Sequence, residues 1–330
     1  MRKTLPVAGL VLALTLAGCA HQTPPLQSVG PAPMETGAIV VPAAPERGFH
    51  FPYILRIPAD PSEAQVKMLL VEPNNTGAVS DDPEVHAKAA MTLSGTGIGA
   101  DAARNLHIPL LMPVFPRPES EWRIYTHQLD RDSMLVQSGP LRRLDLQLIA
   151  MIDDARARLR ERGMNVPARV LMTGFSASGS FVNRFTMLHP DRVQAVATGG
   201  LNGLLILPQS DLDSISLPYP LGLADLEQVA GIKPRMDEWR RIPQLIFMGA
   251  LDDNDAVLFD DGYDESEKEL VFRAIGETMQ PDRWERCQAA YRAAGANATF
   301  RTYDGIGHGT DGRIGLEITS FLRDASTNGR

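Results

Sequence analysis

Three side chains have the types and the chain order that nucleophilic catalysis requires. Ser176 lies in the run GFSAS at residues 174–178, Asp252 ends an apolar segment, and His308 stands between two glycines near the C-terminus. A serine hydroxyl is a weak nucleophile until a base takes its proton, and that base needs an acid to fix its tautomer. These residues predict a serine nucleophile, a histidine base and a carboxylate partner.

The residues around Ser176 predict a tight strand-to-helix turn. The apolar segment 169–173 precedes the serine and a helical pattern follows it, so the turn resembles the nucleophile elbow of α/β hydrolases. That turn needs small residues two before and two after the nucleophile, and these are Gly174 and Ser178. The usual motif has glycine at the second position, so Ser178 is a departure. The alternative interpretation is an ordinary Gly-rich turn.

The acid and the base follow Ser176 in the order typical of that fold. His308 is the one histidine of seven in a glycine-flanked loop beyond a late strand, although a surface-loop histidine is the alternative. The loop 252–255 offers three carboxylates. The spacing from Gly249 that the resemblance implies favours Asp252 as the acid, and Asp255 stays open as the alternative.

Acyl transfer also requires backbone N–H donors directed at the developing oxyanion. The residue after the nucleophile, Ala177, would supply one donor. The second is expected in the loop after the predicted strand 66–72, where Asn74 and Asn75 are the candidates. A plain Asn-Gly-type turn is the alternative for this loop.

Other polar and aromatic residues surround the predicted site. Trp122 and Tyr125 follow a strand that ends near residue 115, and they are candidate pocket residues, although Trp122 could equally be ordinary packing. The acidic run continues through Asp260, Asp261 and Asp264. Its spacing is not that of a calcium-binding EF-hand loop, so a solvated loop and no metal are expected.

Apolar runs alternate with helical patterns along the chain, which predicts βα units around a mostly parallel sheet. The expected fold is the α/β-hydrolase fold over residues 48–325, with helices on both faces. Residues 201–240 fit neither period and are expected to form a small cap or loop insertion. Strands are predicted at 49–57, 66–72, 108–115, 169–173, 193–197, 244–248 and 298–303, and helices at 83–105, 140–162, 178–189, 283–294 and 313–323.

The first 18 residues have the order of an export leader: basic residues, an apolar stretch, then small residues before Cys19. The apolar stretch is shorter than the roughly 20 residues that a spanning helix needs. The segment resembles a bacterial lipobox, which implies a lipidated Cys19 and attachment to a membrane. Ala20 after it favours the outer membrane, facing the periplasm. Residues 19–47 are proline-rich and predict a tether.

The composition is that of an ordinary globular protein, with 44% hydrophobic and 22% charged residues among 330. The formal net charge of −8 argues against nucleic acid as a partner. The motifs are similar to those of polyhydroxybutyrate depolymerase-like and feruloyl-esterase-like hydrolases. This resemblance implies cleavage of a small-molecule or polymeric ester through an acyl-enzyme, without a cofactor. A peptidase or thioesterase on the same triad and a non-catalytic lipoprotein scaffold stay open.

Overall fold

The computed structural model describes residues 37–75 and 77–327. All of them belong to one compact unit, Met34–Arg330. The predicted leader and the lipidation at Cys19 lie outside the described residues. Within the described ranges, no helix has the length and apolar character that crossing a membrane requires.

The strands form one large sheet and one small hairpin. The strands are β1 (Ile39–Val41), β2 (Tyr53–Arg56), β3 (Leu70–Val71), β4 (Leu110–Pro113), β5 (Val170–Phe175), β6 (Val193–Gly199), β7 (Asp211–Leu212), β8 (Ile215–Ser216), β9 (Gln244–Gly249) and β10 (Ala298–Tyr303). The large sheet has the order β1-β2-β4-β3-β5-β6-β9-β10. The strand β2 pairs antiparallel with both neighbours, and all other pairs in this sheet are parallel.

Helices cover both faces of the large sheet, as predicted. Strand β5 shows this: Val170 and Met172 enter one apolar core, which contains residues of the helices at 144–161, 177–188 and 284–293. Leu171 enters a second core, which contains residues of the helices at 98–106 and 312–327. The helices are α1 (Pro83–Thr96), α2 (Ile98–Leu106), α3 (Arg131–Leu135), α4 (Leu144–Glu161), α5 (Ala177–Leu188), α6 (Leu226–Ala230), α7 (Met236–Trp239), α8 (Glu265–Ile275), α9 (Trp284–Ala293) and α10 (Gly312–Thr327).

The predicted tether is wrong at its C-terminal end. Residues 39–41 form β1, which pairs antiparallel with β2 at the edge of the sheet, and Val41 is buried in the main core. The β-branched run Ile39, Val40 and Val41 accounts for this strand. The prolines on both sides obscured the strand in the sequence, so the folded domain starts before residue 48.

The single helix predicted at 83–105 is also wrong, because the chain breaks at Gly97 into α1 and α2. Gly97 has an extended backbone, with ψ at 172°. A side chain there would meet the carboxylate of Glu72, since a Cβ on Gly97 would lie 3.1 Å from its Oε2. The amide of Gly99 then donates to the same oxygen at 3.2 Å. The break thus places the start of α2 over a buried acid.

The acidic stretch after Asp252 contains a helix that was not predicted from the sequence. Asp264 and Glu267 form a capping box at the start of α8, and the pattern of an Asp followed three residues later by a Glu could have indicated it. Two other acids of the run pair with cations, Asp260 with Lys268 and Asp261 with Arg117. The stretch is therefore anchored to its surroundings and is more than a solvated loop.

Residues 201–240 leave the sheet after β6 and return at β9. They contain the hairpin β7–β8 and the short helices α6 and α7. Leu201, Leu205 and Leu207 are buried in the main core, so the first part of this insertion packs against the sheet layer. The insertion starts at the carboxyl end of β6, next to the turn that carries Ser176.

Candidate active site

The parallel strands bring the predicted site residues to one edge of the sheet. Ser176 follows β5, Asp252 follows β9, His308 follows β10, and Asn75 follows β3. Because these four strands are parallel, all four residues lie on the same side of the molecule, beyond the carboxyl ends of the strands. Ligands of open α/β sheets bind at this edge.

Ser176 occupies a strained turn between β5 and α5. Its φ of 60° and ψ of −126° fall in a region that residues other than glycine rarely adopt. The amide of Ser176 donates to the carbonyl of Gly199 at 2.9 Å, and its own carbonyl accepts from Ser180 at 3.0 Å. These backbone bonds hold the strained conformation at the N-terminus of α5.

Two glycines allow this turn to form. A Cβ on Gly174 would lie 2.5 Å from the carbonyl oxygen of Ser178, and a Cβ on Gly179 would lie 2.6 Å from that of Gly199. Position 178, two residues after Ser176, does not need glycine. The Ser178 hydroxyl instead accepts from the Phe175 amide at 3.0 Å and donates to the Phe175 carbonyl at 2.9 Å, which closes the turn.

His308 and Asp252 form a hydrogen-bonded pair. The Nδ1 of His308 lies 3.0 Å from Oδ2 and 3.1 Å from Oδ1 of Asp252. The Asp252 side chain is only 1% exposed, whereas that of His308 is 25% exposed. A buried carboxylate that accepts from Nδ1–H leaves Nε2 with its lone pair, which is the tautomer a general base needs.

Asp255, the alternative acid, has different partners. Its carboxylate accepts from the Val257 amide at 3.2 Å and forms an ion pair with the fully buried Arg283. Asp252 and Asp255 are three residues apart, yet only Asp252 lies against His308 in these contacts. The geometry therefore favours Asp252 over Asp255 as the partner of His308.

Phe175 and Gly200 lie between His308 and the turn at Ser176. The rings of Phe175 and His308 are 4.8 Å apart between centroids, and Phe175 directly precedes Ser176. Gly200 has a φ of 64°, and a Cβ there would lie 2.8 Å from the Phe175 ring and 3.2 Å from Cε1 of His308. Gly200 was not predicted as a site residue, although the pair Gly199 and Gly200 at the end of β6 was visible in the sequence.

The structure also gives Nε2 of His308 a partner that was not predicted from the sequence. The side-chain amide nitrogen of Asn254 lies 3.3 Å from Nε2. The backbone amide of Asn254 donates to Oδ1 of Asp252 at 3.1 Å, so the carboxylate that contacts His308 also holds Asn254. In the sequence, Asn254 lies among three aspartates, and only aspartates of this loop were predicted as site residues.

The predicted oxyanion donors differ in their surroundings. Ala177 is the first residue of α5, so its amide has no partner within the helix and lies at the positive end of the helix dipole. The Asn75 side chain donates to the carbonyl of Phe175, the residue before Ser176, at 3.3 Å. The Asn74 side chain is instead buried, and it bonds the amide and the carbonyl of Phe115 at 3.0 and 2.9 Å. The roles of these residues stay predictions.

Two buried titratable groups lie behind this loop. Burial raises the pKa of Glu72 to about 8, so its carboxyl group is mostly neutral at pH 7. Burial lowers the pKa of His127 to about 4, and its Nε2 lies 3.1 Å from the Asn74 amide nitrogen. Neither of these two groups is therefore mainly charged at pH 7.

The predicted pocket residues contact neighbouring arginines. Trp122 is 41% exposed, and the Arg123 guanidinium lies 5.2 Å from its ring centre. The Arg117 guanidinium lies 3.9 Å over the Tyr125 ring and pairs with Asp261. These contacts tie Tyr125 to the loop after β9. The role of both aromatic residues in substrate binding stays a prediction.

The sequence matches no protein-family model and no curated protein. Solved structures do match it. LpqC, a poly(3-hydroxybutyrate) depolymerase from Bordetella parapertussis, has a TM-score of 0.53 and 18% identity, over 89% of this chain and 90% of its own. Poly(aspartic acid) hydrolase-1 from Sphingomonas sp. KT-1 has a TM-score of 0.54 and 14% identity, over 87% of this chain and 97% of its own.

At these identities the likeness concerns the fold. The matches extend over most of this chain and over nine tenths or more of each of the two structures. They agree with the eight-stranded sheet, its parallel strands and the helices on its two faces. The chain has the α/β-hydrolase fold.

Proposed function

We propose that the protein is a serine hydrolase that cleaves carboxylic esters, with Ser176 as nucleophile, His308 as general base and Asp252 as the acid partner. The observation that carries this proposal is the strained Ser176 turn beside a histidine whose Nδ1 is held by a buried carboxylate. A strained backbone at a serine costs on the order of 1–3 kcal/mol, which argues for a use of that residue.

Acylation would start with proton transfer from the Ser176 hydroxyl to Nε2 of His308 as Oγ bonds to the ester carbonyl carbon. The ester C–O bond then breaks, and the alcohol leaves with the proton that His308 returns. Asp252 stabilises the imidazolium between these two transfers. The product of this half is an acyl-enzyme on Ser176.

Deacylation would repeat the steps with water. His308 takes a proton from the water molecule while the water oxygen bonds to the acyl carbon. The bond between the acyl carbon and Oγ of Ser176 then breaks as His308 returns the proton to Oγ. In both halves a negative charge develops on the carbonyl oxygen. The Ala177 amide and a donor from the loop at Asn74 and Asn75 would stabilise it.

The choice of an ester among acyl substrates rests on resemblance. One structural neighbour is named for a polyester and the other for poly(aspartic acid), so the same fold serves different bonds. A peptidase or thioesterase would use the same three residues. A non-catalytic scaffold is less well supported, because it has no use for a strained serine beside a paired histidine.

The proposed location is a membrane surface, with the protein exported and lipid-anchored through Cys19. The lipobox-like segment that ends at Cys19 supports this location and favours the outer membrane, facing the periplasm. Several acyl chains on one cysteine would make the attachment effectively permanent, since each buried CH₂ contributes roughly 0.8 kcal/mol. Radiolabelled palmitate incorporation, lost in Cys19→Ala, would test this.

Hydrolysis of p-nitrophenyl esters from acetate to decanoate would test the activity. The purified protein should release p-nitrophenol, and Ser176→Ala should reduce the rate by several orders of magnitude. Ser180→Ala is the matched control, because it removes a hydroxyl one turn further along α5. Absence of hydrolysis of every ester, or equal rates for the wild type and Ser176→Ala, would contradict the proposed function.

A further inference from the structure

The leaving alcohol of the proposed reaction must approach Nε2 of His308. This follows from the mechanism, because His308 returns its proton to the alcohol oxygen, and proton transfer needs heavy atoms roughly 3 Å apart. Any side chain in contact with Nε2 in the free enzyme therefore lies beside the alcohol portion of the substrate. In this structure that side chain is Asn254, whose amide nitrogen is 3.3 Å away.

The position of Asn254 is fixed by the same contacts that fix the acid. Its backbone amide donates to Oδ1 of Asp252 at 3.1 Å. The Gln280 side chain also supports this loop, since it donates to the carbonyl of Gly249 at 2.9 Å and to that of Asp252 at 3.4 Å. Asn254 therefore keeps a defined place beside the base.

The hydrogen-bond partner of the Asn254 amide must change during the proposed reaction. Nε2 has one lone pair, and in the free enzyme the amide of Asn254 is placed to donate to it, so the Ser176 hydroxyl must replace this amide before proton transfer. Once Nε2 has taken the serine proton, the amide cannot return to it and is available to bind another acceptor. A hydroxyl on the leaving alcohol is a suitable partner, because a hydroxyl can both accept and donate.

The charge of the loop disfavours an anionic alcohol. Asp252 lies against His308, and Asp255 is neutralised by Arg283. Asp253 is exposed, and the described part of the chain gives it no ion-pair partner. An unpaired negative charge next to Asn254 would repel a carboxylate on the leaving group.

We infer that Asn254 is a specificity residue for the leaving group, and that the preferred esters have an uncharged, hydroxyl-bearing alcohol. This inference rests on the proposed function and deepens it by naming the alcohol class. The acyl group is not constrained by these contacts.

Three butyrate esters would test the inference: propyl butyrate, 2-hydroxyethyl butyrate and carboxymethyl butyrate. The first two leaving alcohols have nearly the same size, and all three esters give the same butyryl-enzyme, so deacylation is common to them. The measured quantity is the ratio of kcat/KM between esters. This ratio does not depend on how much of a variant is folded.

The wild type should prefer the 2-hydroxyethyl ester to both others. Asn254→Leu, which keeps a similar volume without the amide, should lower the 2-hydroxyethyl-to-propyl ratio about threefold to tenfold, the effect of one lost hydrogen bond. Asn297→Leu is the matched control, since Asn297 is exposed and lies just before the amino end of β10, whereas the site lies beyond the carboxyl ends of the strands. Its ratio should equal that of the wild type.

Two results would overturn the inference while the proposed function stands. One is an unchanged ratio in Asn254→Leu, and the other is a wild type that prefers carboxymethyl butyrate. A separate assay with p-nitrophenyl butyrate identifies the other kind of failure. If the wild type does not cleave that ester in a Ser176-dependent way, the proposed function fails and this inference fails with it.

Discussion

The loop after β9 contains Asp252 and Asp255, and replacing each of them by asparagine should damage a different property of the protein. Asp252 lies against His308, and Asp255 pairs with a buried arginine. We expect Asp252→Asn to reduce catalysis in a protein that still folds. We expect Asp255→Asn to reduce stability in a protein that, while folded, keeps most of its activity.

The size of the first effect follows from the tautomer of the base. An amide at position 252 can donate to Nδ1 of His308, which would move the proton to Nε2 and remove the lone pair that accepts from Ser176. The wrong tautomer in a serine-protease triad lowers kcat about 10⁴-fold, and we expect a loss of that order here. Unlike an arginine, His308 has no permanent charge, so the variant leaves no such charge buried without a partner.

The size of the second effect follows from Arg283, whose side chain is fully buried. Removing one partner of a buried ion pair costs about 3–5 kcal/mol, and the 15% exposure of Asp255 favours the lower end. One kcal/mol shifts the Tm by about 2–4 °C in a protein of roughly this size. Asp255→Asn should therefore lower the Tm by on the order of 10 °C.

The assay combines kcat for p-nitrophenyl butyrate at 20 °C with the midpoint of thermal unfolding, for the wild type and both variants. Low temperature keeps Asp255→Asn folded while its kcat is measured. Either of two results would refute this reasoning: a loss of kcat in Asp255→Asn as severe as that in Asp252→Asn, or an Asp252→Asn variant that keeps more than a tenth of the wild-type kcat.

Two further outcomes are expected from buried positions near the site. The pKa of Glu72 is about 8 in the folded protein and near 4.5 in the unfolded chain, so the unfolded chain loses its proton first as the pH rises. The free energy of unfolding should therefore fall between pH 4.5 and 8, by up to ~1.4 kcal/mol per pH unit. Urea unfolding at pH 5, 6, 7 and 8 should show a smaller decline for Glu72→Gln, and equal declines would contradict this. Gly200→Ala should lower kcat on the order of 10- to 100-fold, because its Cβ would push Phe175 and His308 away from Ser176. A kcat within twofold of the wild type would contradict the proposed position of the base.

Much of the fold could be predicted from local patterns. The strands β5, β6, β9 and β10 are buried apolar runs with clear ends, and the sequence located each of them within about two residues. The β1 strand and the break at Gly97 could not be found in this way. Both depend on partners distant in the chain, β2 for the strand and the Glu72 carboxylate for the break.

The candidate site could also be predicted only in part from the sequence. Residue types and chain order were enough to select Ser176, Asp252 and His308 for further tests. They could not separate Asp252 from Asp255 without the resemblance, because the difference lies in Arg283, which is 28 residues further along the chain. Asn254 was overlooked for a similar reason, since only the tertiary structure brings it to Nε2 of His308.

The most direct measurement is covalent labelling with a fluorophosphonate, followed by mass spectrometry of the modified peptide. An activated serine attacks the phosphorus and displaces fluoride, whereas an ordinary serine does not. We expect one label per chain, located on Ser176 and absent from Ser176→Ala and His308→Ala. No label on the wild type, or a label on another serine, would contradict the assignment of Ser176 as an activated nucleophile.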